Sequence, residues 1–113
     1  FLKKINSGET IIINGDGQQV RDFIYLSDVI DAFVKTIHNQ KENFLLVNIC
    51  SQKETKILDL IKIVEKLLGQ KALIRYNRNN QEKGYWIGNN QLAFEKINFK
   101  PKIDLETGLK MIV

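Results

Sequence analysis

The chain has 113 residues with 43% hydrophobic and 27% charged side chains, which is the balance of a folded domain and excludes a disordered tail. Seventeen basic against thirteen acidic residues leave a net charge of +4, a mild surplus that suits phosphate-bearing ligands but is too dispersed to signal nucleic acid. No run approaches the roughly 18 apolar residues of a membrane span. The single cysteine, Cys50, excludes an internal disulfide and fits a reducing, cytoplasmic setting.

Residues 1–5 read as the tail of a helix stopped by Asn6-Ser7-Gly8. The β-branched run at 10–13 predicts a strand, and Asn14-Gly15-Asp16-Gly17 a turn. Residues 20–25 predict a second strand, so that 10–25 form a hairpin-like unit. Ser27 is placed to cap a helix over 28–38, with Val29, Ile30, Phe33, Val34 and Ile37 as its apolar face. After a polar connector at 39–43, the nearly unbroken apolar run at 44–49 suits a strand buried on both faces of a parallel sheet. Thr55 is the expected cap of a helix over 56–68, which Gly69 stops.

Residues 72–76 predict a short strand, 77–84 a polar loop, and 85–87 a short strand or packed loop. A short helix follows at 90–97. Asp104 can cap a last helix from Leu105, whose apolar face (Leu105, Leu109, Ile112) has no evident partner in so short a tail. Too few strands are present to flank the run at 44–49. Both ends fall inside amphipathic patterns, as if the chain were cut from something longer. The fold class expected is therefore α/β and incomplete: a small mixed sheet with about four helices.

Several residues are candidates for chemistry. Arg21 stands where a strand hands over to a helix, just after a glycine-rich turn. A guanidinium there can grip phosphate oxygens bidentately, with turn amides assisting; equally, it can pair structurally with Asp16, Asp22 or Asp28. Arg75, Arg78, Glu82 and Lys83 mark a loop suited to a phosphate or sugar hydroxyl, or simply to solvent. Asn14 and Asn48 lie at strand ends, where open α/β sheets bind ligands. Tyr85 and Trp86 offer a stacking surface or ordinary packing. His38 sits at a helix C-terminus without a second histidine, so no metal site is signalled. Cys50 reads as a structural thiol.

Residues 15–29, Gly-Asp-Gly-Gln-Gln-Val-Arg-Asp-Phe-Ile-Tyr-Leu-Ser-Asp-Val, resemble a C-terminal hallmark of the extended short-chain dehydrogenases/reductases. These are the NAD-dependent nucleotide-sugar epimerases and dehydratases of the UDP-glucose 4-epimerase type. The resemblance continues in order: Leu46-Val47-Asn48-Ile49 with a late sheet strand, 55–69 with the next helix, Asn98-Phe99-Lys100-Pro101 with a Gly-Trp-x-Pro element, and 105–109 with a closing Leu-x-x-Gly-Leu. It implies the C-terminal substrate-binding portion of a two-part Rossmann-type enzyme, whose absent N-terminal domain binds NAD and carries a Tyr-x-x-x-Lys pair.

By that resemblance Arg21 contacts the substrate diphosphate, and Arg78 matches a second diphosphate-binding arginine if one residue is inserted, with Glu82 for the usual aspartate. Asn14, Asn48 and Tyr85 become candidate substrate contacts. Cys50 and Gln52 replace family glycines, Asn89 an aspartate, and Asn98-Phe99 the Gly-Trp pair. No tyrosine here has a lysine four residues on, so no catalytic residue is assigned and these residues alone are expected to be inactive, with no cofactor of their own. NAD belongs to the parent enzyme. The expected partners are a nucleotide-diphosphate sugar, the missing Rossmann domain and a second copy in a homodimer, with neither nucleic acid nor membrane. The alternative is a non-catalytic interaction or dimerisation module derived from the same fold.

Overall fold

The computed structural model describes residues 1–39, 43–79 and 84–113. Their order is α1 (Leu2–Asn6), β1 (Thr10–Asn14), β2 (Val20–Arg21), α2 (Leu26–Asn39), β3 (Thr55–Lys56), α3 (Ile57–Leu68), β4 (Leu73–Asn77), α4 (Gln91–Ile97) and α5 (Leu105–Lys110). The α/β character is as expected, with one helix more. The connector residues Gln40, Lys41 and Glu42 lie outside the described residues, as do Glu82 and Lys83 of the later loop.

The β-branched run forms β1, which alternates as a strand must: Ile11 and Ile13 are buried and Ile12 is exposed. Its partner is β4, in parallel, in register from Thr10↔Leu73 to Asn14↔Asn77. The expected hairpin over 10–25 does not form. Only Val20 and Arg21 enter a ladder, antiparallel to β3, and Val20 also makes a parallel bridge to Tyr85. The cause is what the glycine turn does. Gly17 O accepts from Leu58 N at 3.1 Å and Gln19 O from Ile57 N at 3.2 Å, so the turn satisfies the first amides of α3 instead of folding β1 back. Gly17 is required there, because its φ is +77° and a Cβ would lie 2.7 Å from Leu58 Cγ. Thr55 belongs to β3 and does not cap α3; the N-cap position is Lys56, without a side-chain bond.

Two apolar clusters result. The first joins α1, β1, α3 and α5 through Ile5, Ile11, Ile13, Ile61, Val64 and Leu109. The last helix thus has a partner after all: Leu109 and Leu105 pack here, while Ile112 is exposed. Asp104 caps α5 as expected, accepting from Thr107 N, and Gly69 ends α3 in the left-handed region. The second cluster joins Ala32 of α2, Ala93 and Ile97 of α4, and Phe99, with Leu45, Val47 and Ile49 against it.

Helix α2 departs most from expectation. It begins at Leu26, with Tyr25 O accepting from Asp28 N and Val29 N, so Ser27 lies in the first turn and is not the cap. The side it buries carries Asp28 and Ala32, whereas Phe33 and Ile37 are 68% and 79% exposed. Residues 44–49 were expected to be a buried strand. Among the described residues they join no sheet; Leu45, Val47 and Ile49 face the core, while Phe44 and Leu46 face outward at 78% and 77% exposure. The chain forms a slab of 50 × 30 × 16 Å with a radius of gyration of 16.8 Å. A compact chain of this length would have about 13 Å.

Candidate functional site

The site is built around Val20-Arg21, which runs between β3 and residues 84–86. Val20 N donates to Gly84 O at 2.9 Å, and Trp86 N to Val20 O at 3.2 Å. Arg21 is half-buried, and its Nη1 donates to Val20 O at 2.9 Å and Gly84 O at 3.3 Å. A Cβ on Gly84 would sit 2.5 Å from Trp86 Nε1 and 3.1 Å from Arg21 Nη1, so the guanidinium and the indole both lie close over this glycine. Main-chain carbonyls therefore hold Nη1 of the arginine head against this short strand.

The three aspartates weighed as partners for Arg21 all serve main-chain amides. Asp16 Oδ1 accepts from Gln18 N at 2.9 Å within the turn. Asp28, 2% exposed, accepts through Oδ2 from Lys102 N and Ile103 N, both at 3.0 Å, and so fastens the segment after Pro101 to the start of α2. Asp22 gathers four bonds. Its Oδ1 accepts from Ser51 N at 2.8 Å and Ser51 Oγ at 2.6 Å, and its Oδ2 from Gln52 N at 3.0 Å and Gly88 N at 3.2 Å. Burial, and next the Asp22 charge, push the Cys50 thiol upward, which disfavours the thiolate.

At the C-terminal ends of the parallel strands three carboxamides meet. Asn77 Nδ2 donates to Asn14 Oδ1 at 3.2 Å, and Gln19 Nε2 to Asn14 O at 3.0 Å. Gln19 is 8% exposed, and its Oε1 has no partner among the described residues. Sequence reasoning singled out Asn14 but missed Gln19 and Asn77; the signal available was their placement at the two ends that a parallel pair brings together. Gly15 N donates to Asn77 O at 3.0 Å, and with Gln18 N held by Asp16 these turn amides are occupied within the fold.

The other candidates fall around this frame. Arg78 follows Asn77 directly and is exposed in the turn after β4, at the Asn14 end of the sheet. Asn48 is exposed and donates from Nδ2 to Asn89 O at 3.3 Å. Tyr85 borders the Arg21 strand through its bridge to Val20 and is 64% exposed. Its hydroxyl donates to Glu54, a bond that pushes the phenol above its ordinary value. Arg75 and His38 are exposed, and Glu82 and Lys83 lie outside the described residues. Among the described residues no cluster of His, Cys, Asp or Glu could hold a metal ion, and no helix is long and apolar enough to cross a membrane. The glycine turn, with two of its amides engaged internally, does not form a dinucleotide cradle.

Comparison with known proteins agrees with this architecture. Residues 1–50 match the profile of the NAD dependent epimerase/dehydratase family. The UDP-glucuronate 4-epimerase of Thermodesulfobacterium geofontis is 30% identical over 115 aligned positions, covering 100% of this chain and 35% of that protein. Among solved structures, the UDP-glucuronic acid 4-epimerase of Bacillus cereus in complex with UDP-glucuronic acid and NAD superposes with a TM-score of 0.86 at 27% identity, over 96% of this chain and 35% of that one. The UDP-glucose 4-epimerase of Thermotoga maritima with UDP-glucose gives a TM-score of 0.81 at 28% identity, over 97% of this chain and 35% of that one. The chain thus spans about a third of the length of these relatives.

Proposed function

We propose that this chain is the C-terminal, substrate-binding portion of an NAD-dependent nucleotide-sugar epimerase or dehydratase, and that Arg21, with Arg78, holds the diphosphate of the substrate. The observation that carries this reading is the near-complete superposition of the chain on a third of an enzyme solved with UDP-glucuronic acid and NAD. Local geometry supports it. The Arg21 head is anchored by two carbonyls beside Tyr85, and the Asn14 end of the sheet stands next to Arg78. A diphosphate held by two arginines fixes the sugar at the other end of the ligand, which is rate enhancement by orientation. Asn14, Asn48 and Tyr85 are the further substrate contacts we assign.

NAD would be held outside the described residues, and the groups that move protons and hydride would lie there too, since no Tyr-x-x-x-Lys occurs in the sequence. We infer that the cofactor-binding part docks on residues 44–49, which join no sheet among the described residues, and on the exposed face of α2. An apolar segment without sheet neighbours among the described residues, and a radius larger than that of a compact chain, support this reading.

The test is calorimetric titration of the full-length protein with UDP, or with whichever of dTDP, GDP and CDP it binds most tightly. Arg21→Ala removes charge-assisted bonds worth about 1.5–3 kcal/mol, so the dissociation constant should rise about 10- to 100-fold. Unchanged affinity would sink the diphosphate role.

A further inference from the structure

The structure assigns Asp22 a second role in that same site: we propose that it is a positioning residue whose carboxylate sets the two loops flanking Arg21 and thereby the affinity for the diphosphate. This rests on the reading of Arg21 given above. Asp22 is the next residue in the chain after Arg21 and follows the end of β2. Arg21 donates to Gly84 O, and Asp22 accepts from Ser51, Gln52 and Gly88. Residues 84 and 88 are the two ends of one segment. The Arg21-Asp22 dipeptide therefore fastens that segment at both ends, by a cation on a carbonyl and a carboxylate on an amide.

The other loop is equally dependent on the carboxylate. Gln52 has a φ of +63°, a left-handed conformation uncommon for a residue with a Cβ, and its amide is held by Asp22 Oδ2 at 3.0 Å. Ser51 gives Asp22 both its amide and its hydroxyl, while its Oγ also accepts from Lys53 N at 3.1 Å. Asn90 Nδ2 donates to Cys50 O at 2.9 Å and Asn48 Nδ2 to Asn89 O at 3.3 Å, joining this loop to residues 89 and 90. A Cβ on Gly88 would lie 2.5 Å from Cys50 Sγ, so glycine there allows the loops to touch and the Gly88 amide to reach Asp22. Two of the assigned substrate contacts, Asn48 and Tyr85, sit on the segments that Asp22 draws together.

The experiment compares Asp22→Asn, Ser51→Ala and Arg21→Ala in the full-length protein, titrated with the nucleoside diphosphate chosen above. Asp22→Asn places an NH2 group either against the Ser51 amide or against those of Gln52 and Gly88, which also donate, so at least one of the four bonds is lost. The expected result is a dissociation constant raised about tenfold with the number of sites per molecule unchanged, and a rise of about threefold for Ser51→Ala. A merely structural role would lower the number of competent sites and leave the dissociation constant of the remainder as it was; that result overturns the proposal. Should Asp22→Asn not yield folded protein, unchanged affinity in Ser51→Ala overturns it. If Arg21→Ala binds normally, the reading of the site itself fails; if Arg21→Ala weakens binding and Asp22→Asn does not, only the positioning role fails.

Discussion

Cys50 and Gly88 form a contact whose energy can be isolated. A Cβ added at Gly88 would lie 2.5 Å from Cys50 Sγ and 2.8 Å from Cys50 Cβ, against the 3.5–4.0 Å of a relaxed contact, so Gly88→Ala forces the two loops apart by about 1 Å. Overpacking of this kind costs about 1–3 kcal/mol. Cys50→Gly alone frees the main chain and removes a small buried side chain, a loss of about 1 kcal/mol. In the double variant the space left by the thiol receives the new methyl group. The combined cost should then match that of Cys50→Gly alone, a coupling of at least about 1 kcal/mol. Hydrogen exchange of the Ser51 and Gln52 amides in all four full-length proteins measures this, because both amides are bonded to Asp22 across the contact. Strictly additive costs, or unaltered exchange in Gly88→Ala, would refute the packing account.

Two further predictions concern carboxylates at helix starts. Asp28→Ala leaves the Lys102 and Ile103 amides without their acceptor, at about 1–3 kcal/mol each, whereas Asp28→Asn keeps a carbonyl oxygen. The fall in melting temperature should be clearly larger for alanine, and equal falls would contradict the bonding described. The Thr107 amide donating to Asp104, and next the Thr107 hydroxyl, hold the Asp104 carboxyl below its ordinary 3.8. A depressed folded value means that the cap stabilises α5 fully above the ordinary carboxyl range and is lost as pH falls through the lower folded value. The midpoint of the pH-dependent shift of the Thr107 amide resonance should lie below 3.8; a midpoint at or above that value would contradict the cap described.

Much of the scaffold was legible because it is local. The run at 10–13 announced β1, Gly69 marked the stop of α3, and Asp104 marked the start of α5. What escaped depends on distant residues. A glycine turn between two apolar runs is good evidence for a hairpin, yet here its carbonyls serve the start of α3, which no local pattern reveals. The period of Ile30, Phe33 and Ile37 correctly gave a helix but not which side it buries among the described residues, where Asp28 and Ala32 face inward. In the site, Arg21 and Asn14 stood out by position. Asp22 did not, because an aspartate beside an arginine reads as half of an ion pair, and its partners lie 29 to 66 residues away. Gln19 escaped because a buried glutamine leaves no periodic trace.

The outward-facing Phe44 and Leu46 have a consequence for how such a protein is made. A segment that joins no sheet among the described residues and carries two outward apolar side chains is a template for association with other chains. If its sheet neighbours precede it in the polypeptide, as proposed, they leave the ribosome first and stand ready when residues 44–49 emerge. The order of synthesis then acts as a chaperone. Producing these 113 residues alone would remove that protection and favour insoluble aggregates over a soluble domain.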